Sequence, residues 1–146
     1  MVISNYNVFI THCIATYIMV GVIWVIQLVH YPSFHFIDKK KYKSFQNFHM
    51  NKISYIVLPT MLVELFTGFI IFFDFSFIQG DFIFYISIFF LLCIWAITGF
   101  VFTKLHNELL KGYDELLIQK IIKWNWSRTL LWTFRIFILS FILYLN

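Results

Sequence analysis

Residues 82–103 read FIFYISIFFLLCIWAITGFVFT, an apolar run without one charged side chain. About 20 such residues suffice to carry a helix across the hydrocarbon of a bilayer. There every backbone N–H and C=O must be paired within its own segment, so the run predicts a helix and not a strand. Three further stretches, 7–29, 53–73 and 124–145, satisfy the same requirement. The expectation is an all-α fold, an integral membrane four-helix bundle, with residues 1–146 forming a single four-span domain. Pro59 falls inside the second stretch and predicts a mild bend.

Composition carries the same message. Of 146 residues, 61% are hydrophobic and only 12% charged, with 20 Phe, and the mean hydropathy is +0.82. Soluble domains hold roughly twice that share of charge, so the apolar excess is expected to face lipid. The first run contains His12 and Gln27 and is preceded by neither a basic leader nor followed by an A-x-A cleavage site, which predicts a retained span. Cys13 and Cys93 both lie in apolar runs and form no CxxC or CxxCH pattern. A disulfide framework and a covalently attached c-type haem are therefore not indicated. Nor does any Walker, GxGxxG, GxSxG or HExxH pattern occur.

The connections differ in charge. The first carries Lys39, Lys40, Lys41 and Lys43, with Lys52 following, and the third carries Lys104, Lys111, Lys120 and Lys123, with Arg128 beyond. The middle one, FDFSFIQGD (73–81), has Asp74 and Asp81 and no basic residue. The positive-inside bias then predicts that the lysine-rich loops are cytoplasmic and both termini outside. Richness in Phe, Ile, Lys and Asn suggests a bacterial inner membrane. Tyr31, Trp124 and Trp126 would mark the cytoplasmic interface, and Tyr6, Tyr85 and Tyr144 the other. The net charge of +4 reads as a topology signal, so a nucleic-acid partner is not expected. KLHNELLKGYDELLIQKIIKWNW predicts helix on both sides of a turn at Gly112.

At 100° per residue the polar side chains at membrane depth form four stripes. They are His12, Thr16, Met19, Ile23, Gln27 and His30 on the first span, and His49, Thr60, Glu64 and Thr67 on the second. On the third lie Trp95, Gly99, Phe102 and His106, and on the fourth Asn125, Arg128, Trp132 and Arg135. Facing one another, they would leave Phe, Ile and Leu to the lipid partner. Glu64 and Arg135 each cost several kcal/mol alone near a span centre, so an ion pair between them is expected. It either fixes helix register or, with Arg128, forms a catalytic set.

His12 lies about 27 Å along its helix from His30, so those two cannot share one metal. His30, His49 and His106 fall at similar depth on three spans and are candidate ligands of a haem iron or another transition metal. The His30-Tyr31-Pro32 corner, His49, His106-Asn107-Glu108 and Trp124-Asn125-Trp126-Ser127-Arg128 would converge on one cytoplasmic-facing pocket, with His35 in the adjoining loop. Such a pocket suits a planar anionic ligand, its carboxylate on Arg128 and its ring stacked on aromatic side chains.

The sequence also resembles the small four-span membrane family that includes HemJ-type protoporphyrinogen oxidase. Trp24 before Pro32 in WVIQLVHYP is similar to the W…YLP end of that family's first span. Pro59-Thr60-Met61 with Gly68 resembles the P-x-M…G pattern of its second, and His106 with Leu110-Lys111-Gly112 resembles its H…L…G stretch. Tyr31-Pro32-Ser33 lacks the family's arginine, and NWSRTLLWTFR has no counterpart there. The resemblance implies a membrane oxidoreductase that binds haem b or porphyrin. Two alternatives stand beside it. One is a cofactor-free enzyme acting on a lipophilic aromatic or quinone-like molecule. The other is a non-enzymatic assembly factor, complex subunit or small transporter, working as a homo-oligomer or within a larger membrane complex.

Overall fold

The computed structural model describes residues 5–73 and 81–145. The acidic middle loop, with Asp74 and the Asp81 side chain, lies outside the described residues. Those described are helical apart from short connections, and no strand occurs among them. Four helices are long and apolar enough to cross a membrane: Tyr6–Phe36, Tyr42–Phe73, Phe82–Leu109 and Glu115–Leu145. The chain is a multi-pass membrane protein whose fold is an all-α four-helix bundle.

Each helix outruns the apolar stretch that announces it. The second begins at Tyr42, about three turns before residue 53, and runs unbroken through Pro59. The third extends to Leu109, after which Gly112 adopts φ +155°, a backbone that favours glycine. Asp114 then accepts a hydrogen bond from the Leu117 N–H at 3.0 Å and starts the fourth helix. The turn expected at Gly112 is present.

Packing around the bundle is uneven. The first helix lies along the second and the fourth, and the fourth along the third, whereas the second and third meet sparingly. At one level they meet through Gly68, where an added Cβ would stand 3.0 Å from Ile88 Cδ1 and 3.2 Å from His12 Cε1. A side chain here would press on Ile88 and His12, so the glycine eases the approach. Nearer the lysine-rich end they meet again through Gln46 and His106, 2.9 Å apart. Between these two contacts the wall is open, forming a lateral cleft of about 290 Å³.

Two wide, π-helical turns interrupt the regular helices, Ile26–His30 in the first span and Thr98–Phe102 in the third. A π turn absorbs one residue more than an α turn, so side chains beyond it no longer follow the 100° pattern. The third stripe is corrected: Gly99 is exposed, while Phe102 is buried and Thr98, on the face of buried Leu91 and Ile94, turns toward the fourth helix. The second stripe is corrected as well. Thr60 bonds back to its own helix at the Ile56 carbonyl, and the buried face runs through His49, Met61, Glu64, Gly68 and Ile71. The fourth stripe holds throughout, with Asn125, Arg128, Trp132 and Arg135 all buried.

Candidate functional site

The buried polar residues fall into two clusters. The first sits at mid-bundle, centred on Glu64 and Arg135, both 0% exposed and paired at 2.5 Å. Glu64 also accepts from Thr16 at 2.7 Å and from the Trp132 indole at 3.2 Å. Arg135 donates further to Ser87 at 3.3 Å and to His12 Nε2 at 3.1 Å. A guanidinium can only donate, so His12 Nε2 must be the acceptor and its Nδ1 carries the hydrogen. That hydrogen goes to Thr67 Oγ1 at 2.9 Å, and the Thr67 hydroxyl donates to the Val63 carbonyl at 2.6 Å. Every partner is thereby placed, and all four spans are tied together. Neither Glu64 nor Arg135 lines the cleft. The expected ion pair is present, within a closed network.

The second cluster lies about two turns nearer the lysine-rich end. Arg128 is buried, with Nε and Nη2 donating to Asn125 Oδ1 at 3.1 and 2.7 Å. Nη1 reaches Thr98 Oγ1 at 3.3 Å and Nη2 reaches the Tyr31 hydroxyl at 3.5 Å. Its plane rests 3.6 Å from the centre of the Phe102 ring. Asn125 is itself held by Gln27 at 2.9 Å. All these acceptors are neutral, and among the described residues no carboxylate pairs with Arg128. The guanidinium contributes to the lining of the lateral cleft beside Tyr31, Thr98 and His106. The rest of that lining is mostly apolar, from Ile26 and Met50 through Val57 and Met61 to Trp95. Ser54, Leu58 and Thr103 are exposed on the outer face of the bundle, so the cleft opens sideways toward lipid.

Three histidines converge here as the sequence leads one to expect. His30 Nε2 and His49 Nδ1 are 2.6 Å apart, and the His49 and His106 rings lie 5.5 Å apart. His30 Nε2 faces His49 Nδ1 and both His106 nitrogens face neighbouring polar groups, while His49 Nε2 is buried without a hydrogen-bond partner among the described residues. His106 Nε2 meets the Tyr31 hydroxyl at 3.2 Å, and its Nδ1 meets Gln46. Among the described residues no group of three or more His, Cys, Asp or Glu is disposed to hold a metal ion. An iron between two axial imidazoles would separate the ligating nitrogens by about 4 Å, twice a metal–nitrogen bond of about 2 Å. The hydrogen-bonded His30–His49 pair therefore does not fit a haem held between them.

Several residues read from the sequence fall elsewhere. Trp126 is 40% exposed and packs edge-on against Trp24 at 5.8 Å, away from the cluster. The helix pitch explains this, because Asn125 and Arg128 share an inner face that Trp126 cannot reach. Trp124 and Ser127 line a separate surface hollow with Lys120 and Lys123. Glu108 pairs with Lys111 at 2.7 Å, and His35 with Glu115 at 3.0 Å. Tyr31, expected at the interface, is instead a core residue with 3% exposure. Tyr6, Tyr85 and Tyr144 are exposed as an interfacial position requires.

Other contributors escaped sequence reasoning. Gln46 precedes His49 by three residues, one turn up the same helix face. Its signal was concealed because residues 42–52 are too polar to be counted with the span. Thr98, which meets Arg128, carries neither charge nor ring to mark it within an apolar run. No protein-family model, curated protein or solved structure matches the chain.

Proposed function

We propose that this protein binds a flat, lipophilic molecule in the lateral cleft, receives its oxygen-bearing head group on Arg128, and acts on it as a membrane oxidoreductase. One observation carries the reading. Arg128 is a buried cation with neutral partners only, at the floor of an apolar cleft that faces lipid. A buried charge is costly unless compensated, and a carboxylate or polarised carbonyl would compensate it. Tyr31 and His106, joined at 3.2 Å, stand beside the same point and are suited to supply or accept a proton there. Phe102 and Trp95 add aromatic surface to the lining.

The side-facing mouth supports a ligand drawn from the bilayer. The positive-inside bias supports placing the lysine-rich end, and so the cleft, toward the cytoplasm of a bacterial inner membrane, with both termini outside. Of the ligands that the resemblance to the HemJ-type family implies, a haem held between His30 and His49 does not fit their hydrogen-bonded contact. A porphyrin or smaller ring substrate with an acidic arm fits the charge of Arg128, its ring edge lying toward lipid.

Equilibrium binding of 4-decylbenzoate to the protein in phosphatidylcholine nanodiscs, corrected with empty discs, tests the reading. Arg128→Gln is expected to weaken binding at least tenfold, since hydrogen bonds to a charged group contribute about 1.5–3 kcal/mol. Arg128→Lys should retain part of the affinity. No binding by the wild type, or equal binding by Arg128→Gln, overturns it.

A further inference from the structure

One polar atom in the cleft is unaccounted for by a single head group on Arg128. The indole of Trp95 lines the cleft, and its Nε1–H is buried with no hydrogen-bond partner among the described residues. A buried donor left unsatisfied costs about 1–3 kcal/mol, so a group of this kind in a binding cleft implies an acceptor supplied from outside the chain. Its position relative to Arg128 follows from the helix. Thr98 touches the guanidinium at 3.3 Å, and Trp95 precedes Thr98 by three residues, about 4.5 Å of helical rise. The cleft lining therefore holds two donor-bearing residues about one helical turn apart in depth. The cationic one is at the lysine-rich end, and the neutral one lies deeper in the apolar part.

We infer that the cleft recognises a membrane-dissolved 1,4-quinone, a ring with carbonyl oxygens at opposite ends. One oxygen accepts from Arg128 and the other from the Trp95 indole. The inference rests on the proposed role of Arg128 and narrows the ligand class. Size and polarity agree. A cleft of about 290 Å³ matches one or two fused rings at the small end of ligand sites and not a whole tetrapyrrole. The cleft lining around these donors includes Ile26, Val57 and Met61, which favour a neutral carbonyl over a second charge. The lateral mouth between the second and third spans, rimmed by Leu58 and Thr103, lets an attached alkyl tail remain in lipid.

Two ligands and two variants test this in nanodiscs. The probes are 2-decyl-1,4-benzoquinone, with two oxygen positions, and 4-decylbenzoate, with one. Trp95→Phe keeps an aromatic ring and removes only the N–H. It is expected to weaken the quinone roughly fivefold to tenfold, in keeping with one neutral hydrogen bond, and to leave the benzoate unchanged. Arg128→Gln is expected to weaken both. If the quinone does not bind, or binds Trp95→Phe as well as wild type, while the benzoate still depends on Arg128, the quinone inference fails and the broader reading stands. If neither ligand depends on Arg128, both fail.

Discussion

Arg128 and Arg135 are two buried arginines one heptad apart on a single helix, and their partners set them in different roles. Arg135 meets a carboxylate and two neutral acceptors inside a closed network. Arg128 meets neutral oxygens only and contributes to the lining of the cleft. Removing one member of the Glu64–Arg135 pair leaves the other charge uncompensated at the centre of the bundle. Glu64→Gln is accordingly expected to cost about 3–5 kcal/mol of stability, read as a clear fall in unfolding midpoint in detergent. The double variant Glu64→Leu, Arg135→Met should recover much of that loss, because no buried charge remains. A single variant as stable as the wild type would show that the pair does not hold the spans together. Residue type and helical spacing were sufficient to anticipate this pair. Of the donors and acceptors that complete it, Thr16 and Trp132 lie on the stripes that helical spacing marks, whereas Ser87, in an apolar run, is revealed only by the packing.

Among the elements, the π turns decide what reaches the cleft. The turn at Thr98–Phe102 sets the reach of the residues beyond it, Thr103 and His106, which line the cleft. In the third span the stripe was drawn through Gly99 in place of Thr98, which lies about two turns beyond buried Leu91, while the unbroken fourth span was read correctly from Asn125 to Arg135. A π turn is an α-helix carrying one inserted residue, so deleting Gly99 should restore a regular helix with little disturbance of either flank. Gly99 meets nothing within 4 Å of an added Cβ, so its removal costs no packing. The expected result is unchanged helicity and melting behaviour, with Arg128-dependent benzoate binding at least tenfold weaker. Full binding after the deletion would show that the wide turn does not shape the site. The second span illustrates the opposite limit of sequence reading. Its apolar core was plain, but the polar first three turns bearing Tyr42, Gln46 and His49 resembled a loop by composition and are helix.

On the scale of the whole molecule, the bundle is a ring of four helices fastened at mid-bundle and open on one side. Glu64, Arg135 and His12 hold the spans at their centre, and Gly68 lets the second and third come together there. Toward the lysine-rich end the same two helices part and close again only at Gln46 and His106. Four apolar spans, their loops and the ion pair were legible in composition and spacing. The side opening was not, because it depends on which helices are neighbours, and a hydropathy pattern does not record that. The opening is what turns a buried arginine into a ligand-facing group.

Photolabelling tests that claim most directly. A benzophenone reacts readily with methionine, and Met50 and Met61 both line the cleft. With 4-benzoylbenzoate as the probe and the protein in nanodiscs, peptide mapping is expected to place adducts on Met50 or Met61. They should disappear in Arg128→Gln and in the presence of excess 4-decylbenzoate. Adducts spread over the lipid-facing surfaces of all four spans, indifferent to Arg128, would contradict the account.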